Sequence, residues 1–219
     1  MSKTFWISTA LITATFVPSI AAQDASKLTA NMGGGLTTPV NPTARFAGLS
    51  GNFVTGVGYN INNKNAIVGE FMWAGLPPNR FAIHPIDAPF GSINLYSLTA
   101  NYRFQIESIN RSRFGFYTMA GGGWYYRYSR VDKNYVVPPF TACSPDFIYW
   151  GYACDSSDFV FSQTVAFKGR SAGGLNAGVG FTIRIGDSNW KIYMESRYHY
   201  AWHDLVHTNV VPVTFGFRF

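Results

Sequence analysis

The sequence predicts an all-β protein: an eight-stranded antiparallel up-and-down transmembrane β-barrel. Three observations carry this reading. From Leu28 onward, apolar residues alternate with small or polar ones at period two, the mark of strands whose two faces meet different surroundings. The links between these segments alternate between short and long, so tight turns gather at one end of the sheet and large loops at the other. Charges and glycines share one face, whereas bulky aliphatics and rings occupy the other. Glycine weakens a strand that faces water but suits a narrow interior, where it leaves room for long side chains opposite. The charges therefore belong inside and the rings outside, against lipid.

Taken in order, LTANMGGGLTT (28–38) is the first segment. GNFVTGVGYNI (51–61) sets Phe53, Val57, Tyr59 and Ile61 against Gly56, Gly58 and Asn60. NAIVGEFMWAG (65–75) sets Ile67, Phe71 and Trp73 against Glu70, and SINLYSLTANYRF (92–104) sets Tyr96, Leu98, Ala100, Tyr102 and Phe104 against Ser97, Thr99, Asn101 and Arg103. RFGFYTMAGGGWYYRY (113–128) carries Arg127 near its end, and GGLNAGVGFTIRI (173–185) opposes Leu175, Ala177, Val179, Phe181 and Ile183 to Asn176, Gly178, Gly180, Thr182 and Arg184. NWKIYMESRYHYAW (189–202) places Lys191, Tyr193, Glu195, Arg197 and His199 on the inner face, and the last segment runs from about residue 209 to Phe219. The links NNK, QIESINRS and GDS are turn-like, while PVNPTARFAGLS, LPPNRFAIHPIDAPFG, the long stretch around the two cysteines and HDLVHT are loops. Tyr59, Trp73, Tyr102, Trp124, Trp190 and Trp202, near strand ends, are expected to form two aromatic girdles at the lipid interfaces.

At 219 residues, with 13% charged and 17% aromatic residues, the chain suits one domain with a large apolar exterior. The net charge of +6 is spread thinly, without a run of Lys or Arg, which fits attraction to acidic lipid head groups and not a nucleic-acid footprint. Lys3, the apolar TFWISTALITATFV and the small residues of PSIAAQ read as a signal peptide over residues 1–22, leaving 23–219 as the barrel. No later stretch has the roughly 18 uninterrupted apolar residues of a membrane-spanning helix. Export makes a bridge between Cys143 and Cys154 the default, within CSPDFIYWGYAC; metal binding by the pair would lack a neighbouring His.

The signal peptide, the eight alternating segments, the GGGLTTPV start and the ESRYHY and VPVTFGFRF stretches resemble the small eight-stranded outer-membrane β-barrel proteins of the OmpA-like and OmpX-like kind, without a C-terminal peptidoglycan-binding domain. The resemblance covers nearly all of the mature chain and is one of architecture. It implies residence in a bacterial outer membrane, contact with lipid and lipopolysaccharide, and handling by periplasmic chaperones and the barrel assembly machinery. It also implies that Phe215, Phe217 and Phe219 form the assembly signal of the last strand.

The best polar constellation is the set of inward charges: Glu70, Arg103, Arg127, Arg184, Lys191, Glu195 and Arg197, with His199 beside them. In a narrow barrel they are expected to pair into a salt-bridged plug, since unpaired buried ions are expensive. The alternative is a narrow passage, weakly anion-favouring because bases outnumber acids. An enzymatic reading, modification of lipid A by a Ser, His and acid set, would use Glu195, Ser196, His199 and His203, but strand parity turns Ser196 to the opposite face from Glu195 and His199. A third reading is recognition of an unknown surface ligand by the cysteine-bearing loop, with its NYVVPPF and FIYWGYAC rings, which could equally pack as a lid over the barrel mouth. No phosphate-cradling glycine loop and no metal-ligand spacing occurs, so no cofactor is expected and no catalytic residue is assigned.

Overall fold

The computed structural model describes residues 27–79, 90–106, 113–146, 151–186 and 188–219, with the backbone alone for 90, 134, 136–146 and 151–162. The segment read as a signal peptide and His84 lie outside these residues. Eight strands are present: β1 (Leu28–Pro39), β2 (Ser50–Asn60), β3 (Asn65–Leu76), β4 (Phe90–Gln105), β5 (Phe114–Asp146), β6 (Gly151–Arg184), β7 (Lys191–Ala201) and β8 (Thr208–Arg218). Each pairs antiparallel with its neighbours in sequence, and β8 returns to β1 to close the barrel. At the seam Ala30 N donates to Phe219 O at 2.8 Å and Phe219 N donates to Ala30 O at 3.0 Å, so the final residue lies on the ladder. Closure leaves the barrel wall no open edge, which is the condition for a sheet to cross hydrocarbon.

The period-two alternation of the sequence maps directly onto this wall. Val57, Leu98 and Val179 are 69%, 58% and 61% exposed, while Glu70 and Arg197, on the opposite face, are 2% and 3% exposed. Trp190 stacks near Phe219 at the turn end, with ring centroids 4.9 Å apart, and Tyr59 and Tyr102 are exposed at the same end. Trp73, Trp124 and Trp202 are exposed towards the other end. Phe215, Phe217 and Phe219 all point outward.

Inward glycines set the room available to the large interior side chains. A Cβ on Gly178 would collide with the Arg197 side chain, and one on Gly180 would enter the Tyr117 ring. Tyr117, Tyr125 and Tyr193 are almost completely buried as a result, although rings had been expected mainly outside.

The structure corrects the reading of the cysteine-bearing stretch as a loop. Strands β5 and β6 continue far beyond the barrel wall as one hairpin, paired from Phe114–Ile183 out to Asp146–Gly151. Pairing to β4 stops at Asp132 and pairing to β7 stops at Gly174, so the outer part is a two-stranded ribbon. The period-two signal fades there because a free ribbon separates no interior from an exterior. Pro138 and Pro139, which read as loop punctuation, fall at a register shift between Val137 and Phe140, where a missing ladder donor does least harm.

Candidate functional site

Inward positions of the strands bring two acids and two bases together in the middle of the barrel. Arg197 of β7 donates from Nη1 to Glu70 Oε2 at 2.6 Å, and its Nε lies 2.5 Å from Glu195 Oε1. Tyr117 OH donates to Glu195 Oε2 at 2.7 Å, and Arg218 Nη2 donates to Tyr117 OH at 3.1 Å, lying 3.9 Å from Glu195 Oε2. Asn31 and Asn101 each donate a side-chain N–H to Glu70, at 2.8 and 2.9 Å. The guanidinium of Arg197 thus bridges two carboxylates that would otherwise repel each other, and the amides occupy the remaining acceptor sites of Glu70. Two acids face two bases, so the cluster is internally neutral, which is how buried ions are tolerated.

Glu70, Glu195 and Arg197 therefore meet in the barrel interior. His199 stands one step further along the barrel, its Nδ1 2.9 Å from Tyr125 OH. Arg103 donates to Asn60 Oδ1 at 3.1 Å towards the turn end, where Arg184 and Lys191 also line the interior. Arg127 is remote from all of these: it donates to Val206 O and Thr208 Oγ1, both at 3.1 Å, at the loop end. Arg218, already inward by parity, joins the cluster, and Asn31, Asn101 and Tyr117 complete it. Sequence carries a signal for these three only through their strand parity, since an amide or phenol inside a barrel looks like any other polar residue until its partner is known.

The interior is layered and not uniformly polar. Between the ion cluster and the loop end lies an apolar layer built from Val54, Met72, Ala74, Leu76, Leu95 and Val210, with Tyr125. These side chains are buried from solvent inside the barrel. Thr43 Oγ1 donates to His207 O at 3.2 Å and accepts from Asn209 N at 2.8 Å, tying the β1–β2 link to the β7–β8 link. His203, beyond the end of β7, lies with Nε2 3.2 Å from Arg170 O, so that nitrogen carries the proton; burial first, and the Arg127 charge second, hold its pKa below the ordinary histidine value. A cavity of about 350 Å³ remains above the apolar layer and one of about 1,090 Å³ below the ion cluster, at the turn end.

The residues of the enzymatic reading do not converge. Glu195 is bound to Arg197 and Tyr117, and His199 is buried against Tyr125, while Ser196 sits on the outward parity of β7. Cys143 and Cys154 are directly opposed in the β5–β6 register.

No protein-family profile matches the sequence, and no curated protein matches it. Among solved structures, Neisserial surface protein A (NspA) is similar over 88% of this chain and 96% of its own, at 15% identity and a TM-score of 0.56. The attachment invasion locus protein Ail of Yersinia pestis is similar over 88% and 96%, at 15% identity and a TM-score of 0.43, and the outer membrane protein OprG of Pseudomonas aeruginosa over 87% and 93%, at 11% and 0.44. The likeness to NspA establishes the fold, and it is the small eight-stranded barrel that the sequence resemblance implied.

Replacing Arg197 with Met should leave Glu70 and Glu195 buried without their shared counter-charge and cost about 3–5 kcal/mol. Urea unfolding in detergent, followed by tryptophan fluorescence, measures this. The quadruple variant Glu70→Gln, Glu195→Gln, Arg197→Met, Arg218→Met is expected to recover most of the loss, because no ion of the cluster remains to be compensated.

Proposed function

We propose that the chain is an integral protein of a bacterial outer membrane that presents the β5–β6 ribbon for surface recognition. The observation that carries the reading is the ribbon itself, a paired hairpin extending past the point where β4 and β7 end. A paired backbone costs less entropy to hold than a free loop of the same length, so it presents side chains at a fixed height above the membrane. The apolar wall supports a hydrocarbon environment around the barrel, and the tight turns support a periplasmic turn end. Contact with lipid and lipopolysaccharide follows from that placement. The name of the neisserial neighbour, a surface protein, accords with a surface role.

Export by the segment 1–22 and a Cys143–Cys154 bridge belong to the same reading. Directly opposed antiparallel residues have Cα atoms about 4.5–5.5 Å apart, inside the disulfide range. A bridge there would pin the ribbon near its tip, and the intact mass of the purified protein reads both the cleavage and the bridge. Deleting residues 134–158 should abolish binding to host cells or matrix while the barrel keeps its heat-modifiable gel migration. Undiminished binding by the deleted protein would sink the recognition role.

The outward Phe215, Phe217 and Phe219 are proposed as the assembly signal, read by the barrel assembly machinery after delivery by periplasmic chaperones. Deleting Phe219 is expected to lower outer-membrane levels severalfold, while refolding of the purified variant in detergent changes little, since only the last seam bonds are lost. Normal membrane levels would contradict this.

A narrow, weakly anion-favouring pore is the second reading, favoured by the basic side chains at the turn end. The buried ion cluster and the apolar layer oppose it. Planar-bilayer recording on the purified protein is expected to give no steady conductance; reproducible open steps would favour the pore.

A further inference from the structure

The turn-end cavity has a charge imbalance that the ion cluster does not use. Besides Arg218, which the ion cluster already uses, its lining includes Lys64, Arg103, Arg184 and Lys191, and among the described residues that line it there is no carboxylate side chain. Among the described residues, the acids of the neighbouring ion cluster, Glu70 and Glu195, are already taken by Arg197, Tyr117, Arg218 and the two asparagines. Among the described residues, no carboxylate lies within ion-pair distance of Arg103 or Lys191. Among the described residues, Arg103, Arg184 and Arg218 line the same cavity as Lys191 and carry charge of the same sign. Two buried donor atoms in side chains of this lining, Gln105 Nε2 and Arg218 Nε, have no hydrogen-bond partner.

Like charges gathered inside a low-dielectric wall raise the local potential and concentrate anions. Water and chloride can screen such a set, but at about 1,090 Å³ the cavity has room for one ligand that meets several of the bases at once. Guanidinium and ammonium groups beside amide donors match phosphate oxygens, with Arg giving paired donors and Lys a point charge. We propose that this turn-end vestibule is a binding site for a ligand carrying several phosphate charges, held by Arg103 and Lys191 with Arg184 and Gln105 alongside. The site requires the barrel alone and does not depend on the recognition role of the ribbon.

Inorganic tripolyphosphate is the probe. Titrated calorimetrically into the refolded protein in zwitterionic detergent, it should bind saturably at one site, and more weakly at higher salt as screening grows. The double variant Arg103→Gln, Lys191→Gln should bind at least about tenfold more weakly, each lost charge-assisted contact counting towards that factor. Arg130→Gln, at the opposite end, should bind as the parent does. Absence of saturable binding by the parent protein, or equal affinity in the double variant, overturns the proposal. A measurement on the unaltered chain guards against misfolding of that variant: tripolyphosphate should protect Lys191 from amine acylation, read by mass spectrometry, and lack of protection likewise overturns the site. Nanodiscs distinguish the natural source of phosphate. Weakened tripolyphosphate binding when cardiolipin, a lipid with more than one phosphate, is added to the disc assigns a lipid head group, and unchanged binding assigns a soluble polyphosphate; both uphold the site.

Discussion

Closure of the sheet is the constraint on which the rest of this molecule depends. A single open edge would leave a row of backbone donors and acceptors without partners, and the pairing of β1 with β8, from Asn31–Arg218 to Pro39–Val210 and extended by the bonds of Ala30 and Phe219, removes it. Once the ring of strands is closed, parity has a fixed meaning: every second side chain enters a lumen of limited width, and every other one meets the outer solvent. Eight strands give an interior just wide enough for side chains to fill. Inward bulk must therefore be matched by inward absence of bulk, as where Gly178 lies against Arg197 and Gly180 against Tyr117.

The same narrowness determines how charge is handled. Buried ions in a low-dielectric wall must be compensated at short range, and Arg197 does this for Glu70 and Glu195 together. The compensation is local to the middle layer. Towards the loop end the lumen turns apolar, and there the β1–β2 and β7–β8 links are joined through Thr43. Towards the turn end it turns basic and opens into a cavity. One barrel thus contains three electrostatic environments in series.

Above the wall the constraint no longer applies. The β5–β6 ribbon needs only itself for backbone pairing, so its sequence is released from strict alternation and can accept Pro138, Pro139 and two register shifts. That freedom makes the ribbon suited to variable surface contacts. It also makes it hard to recognise as strand from its residues.

The sequence by itself determined the strand number, the antiparallel order, the inner and outer faces and the separation of short turns from long links, because a closed wall writes its two environments into every second residue. It also placed Glu70, Glu195 and Arg197 on the inner face. Only the tertiary structure decided that these three meet while Arg127 lies at the far end, that Asn31, Asn101 and Tyr117 complete their cluster, and that an apolar layer sits above it. Parity gives the side of the wall that a residue faces, but its height along the axis relative to residues on distant strands depends on the accumulated stagger of all eight pairings. The ribbon escaped the sequence for a related reason: beyond the wall no lumen lies behind one of its faces, so strand and loop leave the same trace in the chain, and only the partner across the ladder tells them apart.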